Sequence, residues 1–229
     1  MDLLLKQITF TGVDERTDLE RLQKLQKKYP LAEFGVLISK NWSTNGNRYM
    51  DPDNFSKLKG MGLNLSLHVC GALAGEAIKN DFSNIRSLVD LSMFNRSQLN
   101  VATKKPVAET KNLVVPHELN EIIIQQKNIE YLDIYRTIEN PTGFSVLLDA
   151  SGGNGIDTGI NVVNSDEFSK VGYAGGMNPE NVGQKLRILL NQSSKPFWID
   201  MESGVRTNDW FDLDKVEMVL EICYEILGE

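Results

Sequence analysis

Short apolar runs recur along the whole chain, and most are followed by a polar loop and a stretch with helical spacing of apolar residues. Such a pattern is typical of strands and helices that alternate. The clearest strands are predicted over residues 7–11, 33–38, 63–69, 146–150, 171–174 and 197–201. Two weaker runs, at 96–102 (RSQLNVA) and 121–125 (EIIIQ), predict a fourth and a fifth strand. The pattern therefore indicates about eight strand–helix units.

Several helical stretches begin with residues that favour a helix start. Thr17 and Glu20 have the spacing of a capping box in a helix predicted over 17–28. Asp51 followed by Pro52 is typical of an N-cap and a first helical residue. Further helices are predicted over residues 73–80, 83–90, 108–119, 179–190 and 214–227.

Strands and helices that alternate at this spacing predict parallel strands joined by crossover helices. A closed eight-fold barrel and an open doubly wound sheet both have this order. The barrel is favoured because small-residue loops follow the seventh and eighth strands, where barrels commonly hold phosphate. An open sheet would favour a glycine fingerprint after the first strand, and Gly12 alone does not make one. We therefore predict an α/β fold, an eight-stranded parallel (β/α)8 TIM barrel, with residues 1–229 as a single domain.

Composition narrows the range of partners. A net charge of -7 and a pI near 5.0 disfavour a nucleic acid or an anionic membrane as the main partner. Cys70 and Cys223 provide neither a disulfide framework nor metal-ligand spacing. The N-terminus lacks the features of a signal peptide, and no apolar run approaches the roughly 18 residues of a membrane span. We expect a soluble, cytoplasmic protein whose partner is a phosphorylated small molecule. The oligomeric state stays open.

Two glycine-containing turns near the carboxyl end of the chain predict an anion site. In AGGMNPENV, Gly175 and Gly176 let the backbone approach a ligand, and a helix start follows. In ESGVRT, Ser203 supplies a hydroxyl and Gly204 an amide N–H group. Each turn alone is also compatible with a tight turn that needs glycine. Together they predict a phosphate site, to which we add Gly153 and Arg206.

Polar side chains at the strand ends are the candidates for catalysis. Asp149 ends a buried strand, where barrel enzymes place catalytic bases, although it could instead cap the glycine loop that follows. His68 near the end of the third strand can act as an acid, a base or a phosphate ligand, or as a structural residue. The expected substrate-binding residues on the strands, which could instead form a structural hydrogen-bond network, are Gln98, Asn100, Asp200 and Glu202. Arg48 in the second loop is also expected to bind substrate, although an exposed loop arginine is commonly just solvated.

Several of these segments resemble the phosphoribosylanthranilate isomerase family of tryptophan biosynthesis. The segments LLDASGGNG, AGGMNPENV and DMESGVR are similar to its sixth, seventh and eighth strand ends, and FGVLIS with NRYMDP to its second unit. The resemblance implies an Amadori rearrangement of an aminoaldose to an aminoketose without a metal or cofactor. It also implies that Asp149 donates a proton and that Arg48 lies near the substrate's carboxylate or the mouth of the site. The phosphate would be held by Gly176, Ser203 and Gly204.

The first strand departs from this family. Thr11 and Gly12 stand where the family has a cysteine–glycine pair, and that cysteine is its proton-abstracting base. Asp14 or His68 could take over this role. The chain departs from the family at three further positions. Asn100 replaces a histidine of the family, Glu202 replaces a serine, and Arg206 replaces a glutamate. We therefore expect a divergent isomerase of a phosphorylated sugar, or a related proton-transfer enzyme with an altered substrate or mechanism. The alternatives are a phosphosugar-binding or regulatory protein without turnover, or an unrelated aldolase or lyase barrel with a Schiff-base lysine.

Overall fold

The structure is a computed structural model that describes residues 3–44, 46–101, 106–127, 132–149, 151, 155–157 and 159–228. Eight parallel strands form a closed barrel in chain order, which confirms the predicted TIM barrel and excludes the open sheet. The strands are β1 (Leu5–Thr11), β2 (Ala32–Ile38), β3 (Leu65–Cys70), β4 (Arg96–Asn100), β5 (Glu121–Gln126), β6 (Phe144–Asp149), β7 (Val171–Ala174) and β8 (Phe197–Met201). The barrel closes where β8 pairs with β1.

Helices and short turns connect the strands on the outside of the barrel. The described α-helices are α1 (Leu19–Lys28), α2 (Ala72–Ala77), α3 (Ser83–Leu88), α4 (Asp133–Thr137), α5 (Val182–Gln192) and α6 (Leu213–Leu227). The 3-10 turns are Trp42–Thr44, Pro52–Leu58, Leu91–Met93, Ala108–Asn112 and Ser203–Val205. A small hairpin, β9 (Arg206–Thr207) with β10 (Trp210–Phe211), follows β8. Within the described ranges, every helix falls short of the length and apolar character that a membrane span requires.

Some predicted helices were wrong in position or extent. The predicted helix over 108–119 is only a 3-10 turn, Ala108–Asn112, and α4 was not predicted. The capping box at the start of α1 was also wrong: Asp18, not Thr17, is the N-cap, and its side chain accepts from the N–H of Arg21. The hydroxyl of Thr17 bonds to Asp14 instead, which removes it from the cap.

The predicted start of α5 was wrong as well. Pro179 does not open this helix, which begins three residues later, at Val182. The side-chain oxygen of Asn178 accepts from the N–H groups of Glu180 and Asn181, so that a separate turn precedes the helix. Asp51 does cap the turn that begins with Pro52, although that turn is a 3-10 helix.

A buried polar cluster fills the amino-terminal end of the barrel interior. The guanidinium of Arg96 donates to both carboxylate oxygens of Glu33 at 2.6–3.0 Å and to the Thr9 hydroxyl. Arg96 also lies 4.6 Å from the ring centroid of Trp198. Gly172 leaves room for that indole, since a Cβ there would collide with it. Because this end is packed, the open end of the barrel is the one at which the strands finish.

Candidate active site

A cavity of ≈ 320 Å³ opens at the carboxyl ends of the strands. Each of the eight strands contributes a residue to its wall. In strand order, these residues are Thr11, Leu37, His68, Gln98, Gln125, Asp149, Ala174 and Asp200. Ligand sites of parallel barrels lie at this end, because loops of different strands converge there. The cavity is therefore the candidate active site.

Asp149 is the last residue of β6 and its carboxylate is held by donors on both oxygens. Oδ2 accepts from Nε2 of Gln125 at 2.9 Å. Oδ1 accepts from the hydroxyl of Ser151 at 2.6 Å and from its N–H at 3.1 Å. Asp149 thus caps the loop after β6, and it also lines the cavity. These contacts establish the capping role, and the catalytic role of Asp149 stays a prediction that its place on the cavity wall permits.

Asp200 on β8 is buried in the cavity wall beside the end of β1. Its Oδ1 accepts a hydrogen bond of 2.8 Å from the hydroxyl of Thr11. Burial raises the pKa of Asp200 to about 7, and the hydrogen bond from Thr11 opposes this rise. A carboxyl group whose pKa is raised toward neutrality is suited to exchange protons near neutral pH.

His68 lines the same part of the cavity but stays neutral. Its Nδ1 lies 3.5 Å from the hydroxyl of Thr11, and its Nε2 lies 3.1 Å from the hydroxyl of Ser66. Burial, followed by repulsion from Arg96, lowers the pKa of His68 to about 3. A Cβ on Gly35 would lie 2.8 Å from the Thr11 hydroxyl and 2.9 Å from the imidazole. These contacts favour the structural interpretation of His68, which packs a neutral ring against Thr11.

The loops after β6, β7 and β8 converge at one corner of the cavity, and glycines permit the approach. A Cβ on Gly155 would lie 2.6 Å from the hydroxyl of Ser203. A Cβ on Gly176 would collide with the backbone of Asp157, and one on Gly204 with the carbonyl oxygen of Met177. The loop after β7 therefore packs closely against the loops after β6 and β8, and the predicted phosphate contact of these glycines stays a prediction.

The β7 turn is held from behind by α5. Nζ of the buried Lys185 donates to the carbonyl of Gly175 at 2.9 Å, and Nδ2 of Asn181 donates to the carbonyl of Gly176 at 2.8 Å. In a planar trans peptide the N–H points opposite to the C=O. The N–H groups of Gly176 and Met177 therefore point away from α5. Lys185 was not predicted from the sequence. Its position among the buried apolar residues of α5 is the feature that could have identified it.

Charged residues meet at the mouth of the cavity. Nη1 of Arg48 donates to Glu202 at 2.7 Å, and Nη2 donates to Asp209 at 3.3 Å. Burial raises the pKa of Glu202, and Arg48 opposes this rise. Arg48 and Glu202 both line the cavity, as expected from the sequence, but they face each other. The charge of Arg48 is therefore compensated within the protein.

The predicted amide residues form a short chain on one wall. Nε2 of Gln98 donates to Oδ1 of Asn100 at 2.8 Å, and Nδ2 of Asn100 donates to Sγ of Cys70 at 3.3 Å. Oε1 of Gln98 is buried and has no hydrogen-bond partner among the described residues. A ligand hydroxyl would satisfy this acceptor.

Two expected site residues, Asp14 and Arg206, do not line the cavity. Asp14 and Arg206 form a buried ion pair of 2.9 Å outside the cavity wall. Arg206 also donates to the carbonyl of Gly12, and Asp14 accepts from the N–H of Phe211. This geometry does not support a role of Asp14 on the substrate or of Arg206 on phosphate, and both roles stay predictions. Gly153 lies outside the described residues.

We find no group of three His, Cys, Asp or Glu side chains that could hold a metal ion in the described ranges. The fold and the cavity define an α/β barrel with a small-molecule site at the carboxyl ends of its strands.

Comparison with known proteins identifies the family. The model of the family described as N-(5'-phosphoribosyl)anthranilate (PRA) isomerase matches residues 96–222, more than half of the chain. The chain belongs to this family.

Solved structures of such isomerases have the same fold. The isomerase from Pyrococcus furiosus is 18% identical with a TM-score of 0.57, over 96% of this chain and 98% of that one. The isomerase from Thermococcus kodakaraensis is 16% identical with a TM-score of 0.55, over 95% and 98% of the two chains. A third, solved with reduced 1-(o-carboxyphenylamino)-1-deoxyribulose 5-phosphate, is 17% identical with a TM-score of 0.61, over 96% and 100%.

Proposed function

We propose that the protein is a cofactor-independent isomerase that converts a phosphorylated aminoaldose into an aminoketose. The observation that carries this proposal is one cavity that combines the carboxylate of Asp149 with the turns at Gly176 and Ser203. Membership of the isomerase family supports the reaction type. A related structure holds a reduced 1-amino-1-deoxyribulose phosphate derivative, which supports a phosphorylated sugar as the class of ligand.

The phosphate would be held by main-chain donors at the corner where three loops meet. Ser203 and Gly204 begin a 3-10 turn, where N–H groups have no carbonyl of the preceding turn to bond. The N–H groups of Gly176 and Met177 add to this set, because their peptide carbonyls are bound on the opposite side. Oriented amides of this kind bind anions without a lysine or arginine in contact.

Asp149 would act as the acid that opens the sugar ring. A proton passes from its carboxyl group to the ring oxygen, the bond between C1 and that oxygen breaks, and the nitrogen lone pair forms a C=N bond. Gln125 and Ser151 fix the orientation of the carboxyl group for this transfer. General acid catalysis by a positioned side chain contributes roughly 10²–10⁴-fold to a rate.

A phosphosugar-binding protein without turnover is the second candidate. It is favoured by Thr11, whose hydroxyl cannot replace a thiolate as a base. An aldolase or lyase that forms a Schiff base is disfavoured, because none of the described residues lining the cavity is a lysine. Lys185 lies close by, but its ammonium group is bound to Asp157 and to the turn.

Turnover of N-(5'-phosphoribosyl)anthranilate tests the proposal. We expect the purified protein to consume this substrate. Expression of the protein should also restore growth of a tryptophan auxotroph that lacks the isomerase. Asp149→Asn should lower kcat by about 10²–10⁴-fold, because the acid is lost while its shape is kept. The matched control is Asp166→Asn, since Asp166 is exposed and pairs only with Lys195 among the described residues.

Binding of the reduced 1-(o-carboxyphenylamino)-1-deoxyribulose 5-phosphate by calorimetry separates the two candidates. Binding with turnover supports the isomerase. Binding without turnover of the substrate would favour the binding protein, and absence of binding would contradict both.

A further inference from the structure

The geometry points to Asp200 as the general base of this site, an inference that rests on the proposed isomerase function. The base thereby moves from the end of β1 to the neighbouring strand β8. Thr11, at the end of β1, is a positioning residue that holds the carboxylate of Asp200.

The first argument is the contact between Thr11 and Asp200. The Thr11 hydroxyl donates to Oδ1 of Asp200 at 2.8 Å, and both side chains line the cavity. An ordinary threonine hydroxyl is far too weak an acid to be ionised at neutral pH. A carboxylate that sits against this hydroxyl therefore supplies a proton acceptor at nearly the same place.

The second argument is the placement of Asp200 relative to Asp149. Asp149 pairs in register with Ala174 of β7, and Tyr173 pairs with Ile199 of β8. One residue further along, Ala174 and Asp200 are at the same level. The side chains of Asp149 and Asp200 therefore lie in one row across β6, β7 and β8, with the methyl group of Ala174 between them. This spacing leaves room for a sugar between an acid and a base.

The third argument is that the two carboxyl groups have different surroundings. Among the described residues, Asp149 accepts three hydrogen bonds, from Gln125 and Ser151, whereas Asp200 accepts one, from Thr11. Such a difference separates the roles of two acidic residues in one site. Burial raises the pKa of Asp200 to about 7, so that the group can gain and lose a proton near neutral pH.

The charged groups near Asp200 have opposing effects on its pKa and do not hold it in one protonation state. Glu202 and Glu33 raise its pKa, whereas Arg96 and the hydrogen bond from Thr11 lower it. His68, from β3, is neutral near pH 7 because burial, with Arg96, lowers its pKa to about 3.

The other candidates for the base are occupied or unsuited. His68 has too low a pKa to be an effective base near neutral pH. Asp14 is bound to Arg206 outside the cavity. Glu202 is paired with Arg48. Burial raises the pKa of Cys70, which keeps its thiol protonated.

In the proposed step, Asp200 removes the proton from C2 of the ring-opened sugar. The electron pair of the C2–H bond forms the C1=C2 bond, and the π pair of the protonated C=N bond returns to nitrogen as a lone pair. The resulting enolamine gains a proton at C1 while its O2 hydroxyl loses one, which gives the ketone. The step is a proton transfer throughout and consumes no oxidant or reductant.

Turnover of N-(5'-phosphoribosyl)anthranilate by four variants tests the role of Asp200. Asp200→Asn should lower kcat by about 10²–10⁴-fold, and Asp200→Glu should retain part of the activity. The affinity for the reduced product analogue should stay within about threefold of wild type, which checks folding and binding. Thr11→Val should shift the acidic limb of the kcat/KM profile to higher pH, because a hydrogen bond that lowers the pKa is lost. Thr11→Ser should restore the profile.

A second measurement does not depend on turnover. In protein labelled with ¹³C-aspartate, the carboxyl signal that disappears in Asp200→Asn should titrate near pH 7, and its midpoint should rise in Thr11→Val. If wild type turns the substrate over and Asp200→Asn retains more than about a tenth of kcat, the inference is overturned. If wild type shows no turnover, the proposed function fails on this substrate, and the ¹³C titration then tests the inference about Asp200 by itself. A midpoint near 7 then supports a proton-exchanging Asp200, and one below about 5 overturns it.

Discussion

At the mouth of the cavity, the charge of Arg48 is already compensated by the protein. Its guanidinium contacts Glu202 at 2.7 Å and Asp209 at 3.3 Å. Two of the five N–H donors of Arg48 are thereby engaged, and its positive charge is offset before any ligand carboxylate arrives. The resemblance noted in the sequence implies that Glu202 replaces a serine of the family, and in this structure Glu202 is a residue that pairs with Arg48.

Glu202→Ser should therefore lower KM for N-(5'-phosphoribosyl)anthranilate. Release of Arg48 would allow a charge-assisted hydrogen bond to the carboxylate of the substrate, which contributes about 1.5–3 kcal/mol, or roughly tenfold or more in affinity. Steady-state kinetics provide the measurement. Glu118→Ser is the control, because Glu118 pairs with Arg86 on the surface of the protein. A KM that is unchanged or higher would contradict this account of Arg48.

The sequence alone predicts which residues reach the cavity when their position at the end of a strand is enough to place them there. Asp149 and Ser203 follow directly from apolar runs that end in small residues, and the structure brings both to one cavity. The titration of Asp200 could not be predicted, since it depends on burial and on a contact with Thr11, 189 residues away in the chain. For the same reason, the pairing of Asp14 with Arg206 leaves no local pattern.

At the scale of elements, the corner that we assign to phosphate depends on how closely the loops after β7 and β8 approach. Gly204 lies so near Met177 that a Cβ would collide with its carbonyl oxygen. The β7 side of this contact cannot easily move, because the carbonyl of Gly175 in the β7 turn is bound to Lys185.

Gly204→Ala should separate the two loops and weaken binding of the reduced product analogue by at least about tenfold, or roughly 1.4 kcal/mol. Calorimetry provides the measurement. Gly75→Ala is the matched control, since a Cβ at this position in α2 meets nothing within 4 Å. The control should bind like wild type and gain about 0.5–1 kcal/mol in stability, because alanine favours a helix. Unchanged binding in Gly204→Ala would argue against this corner as the phosphate site.

Elements were predictable where apolar periodicity was strong. All eight strands occur near their predicted positions, because each buries an apolar face on the surrounding helices. The helix over 108–119 failed because Pro116 interrupts it and one 3-10 turn suffices to connect β4 and β5. α4 was missed because its five residues are too few to display helical spacing.

At the scale of the whole molecule, the polar cluster at the amino-terminal end of the barrel holds several strands together. Arg96 of β4 bonds to Glu33 of β2 and to Thr9 of β1, and both charged side chains are almost fully buried. Removal of one member leaves the other charged and without its partner in the interior.

Arg96→Met should therefore lower the free energy of unfolding by about 3–5 kcal/mol. Urea denaturation gives the value. In the control Arg86→Met, an exposed pair with Glu118 is lost, and the decrease should be about 0–1 kcal/mol. Equal effects in the two variants would show that the buried cluster does not stabilise the barrel.

The buried carboxyl group of Asp200 should make the stability of the whole protein depend on pH. Its pKa is about 7 in the folded protein against an ordinary value of 3.8, so the folded state binds the proton more tightly. The free energy of unfolding therefore falls as pH rises between these two values. Asp200→Asn should remove this dependence and be more stable than wild type by roughly 2–4 kcal/mol near pH 8. Denaturation curves at about pH 5 and pH 8 provide the check. A variant that is less stable than wild type at the higher pH would contradict the raised pKa.

The ion pair between Asp14 and Arg206 has a consequence for synthesis on the ribosome. The two residues are 192 positions apart, so Asp14 leaves the exit tunnel long before its arginine is translated. Until then its carboxylate needs water, and the segment after β1 cannot adopt its final packing. The last hairpin, made of β9 and β10, delivers both Arg206 and the N–H of Phe211 to this carboxylate. The barrel therefore closes only after β8 and this hairpin have left the tunnel, and until then β1 lacks its partner on that side.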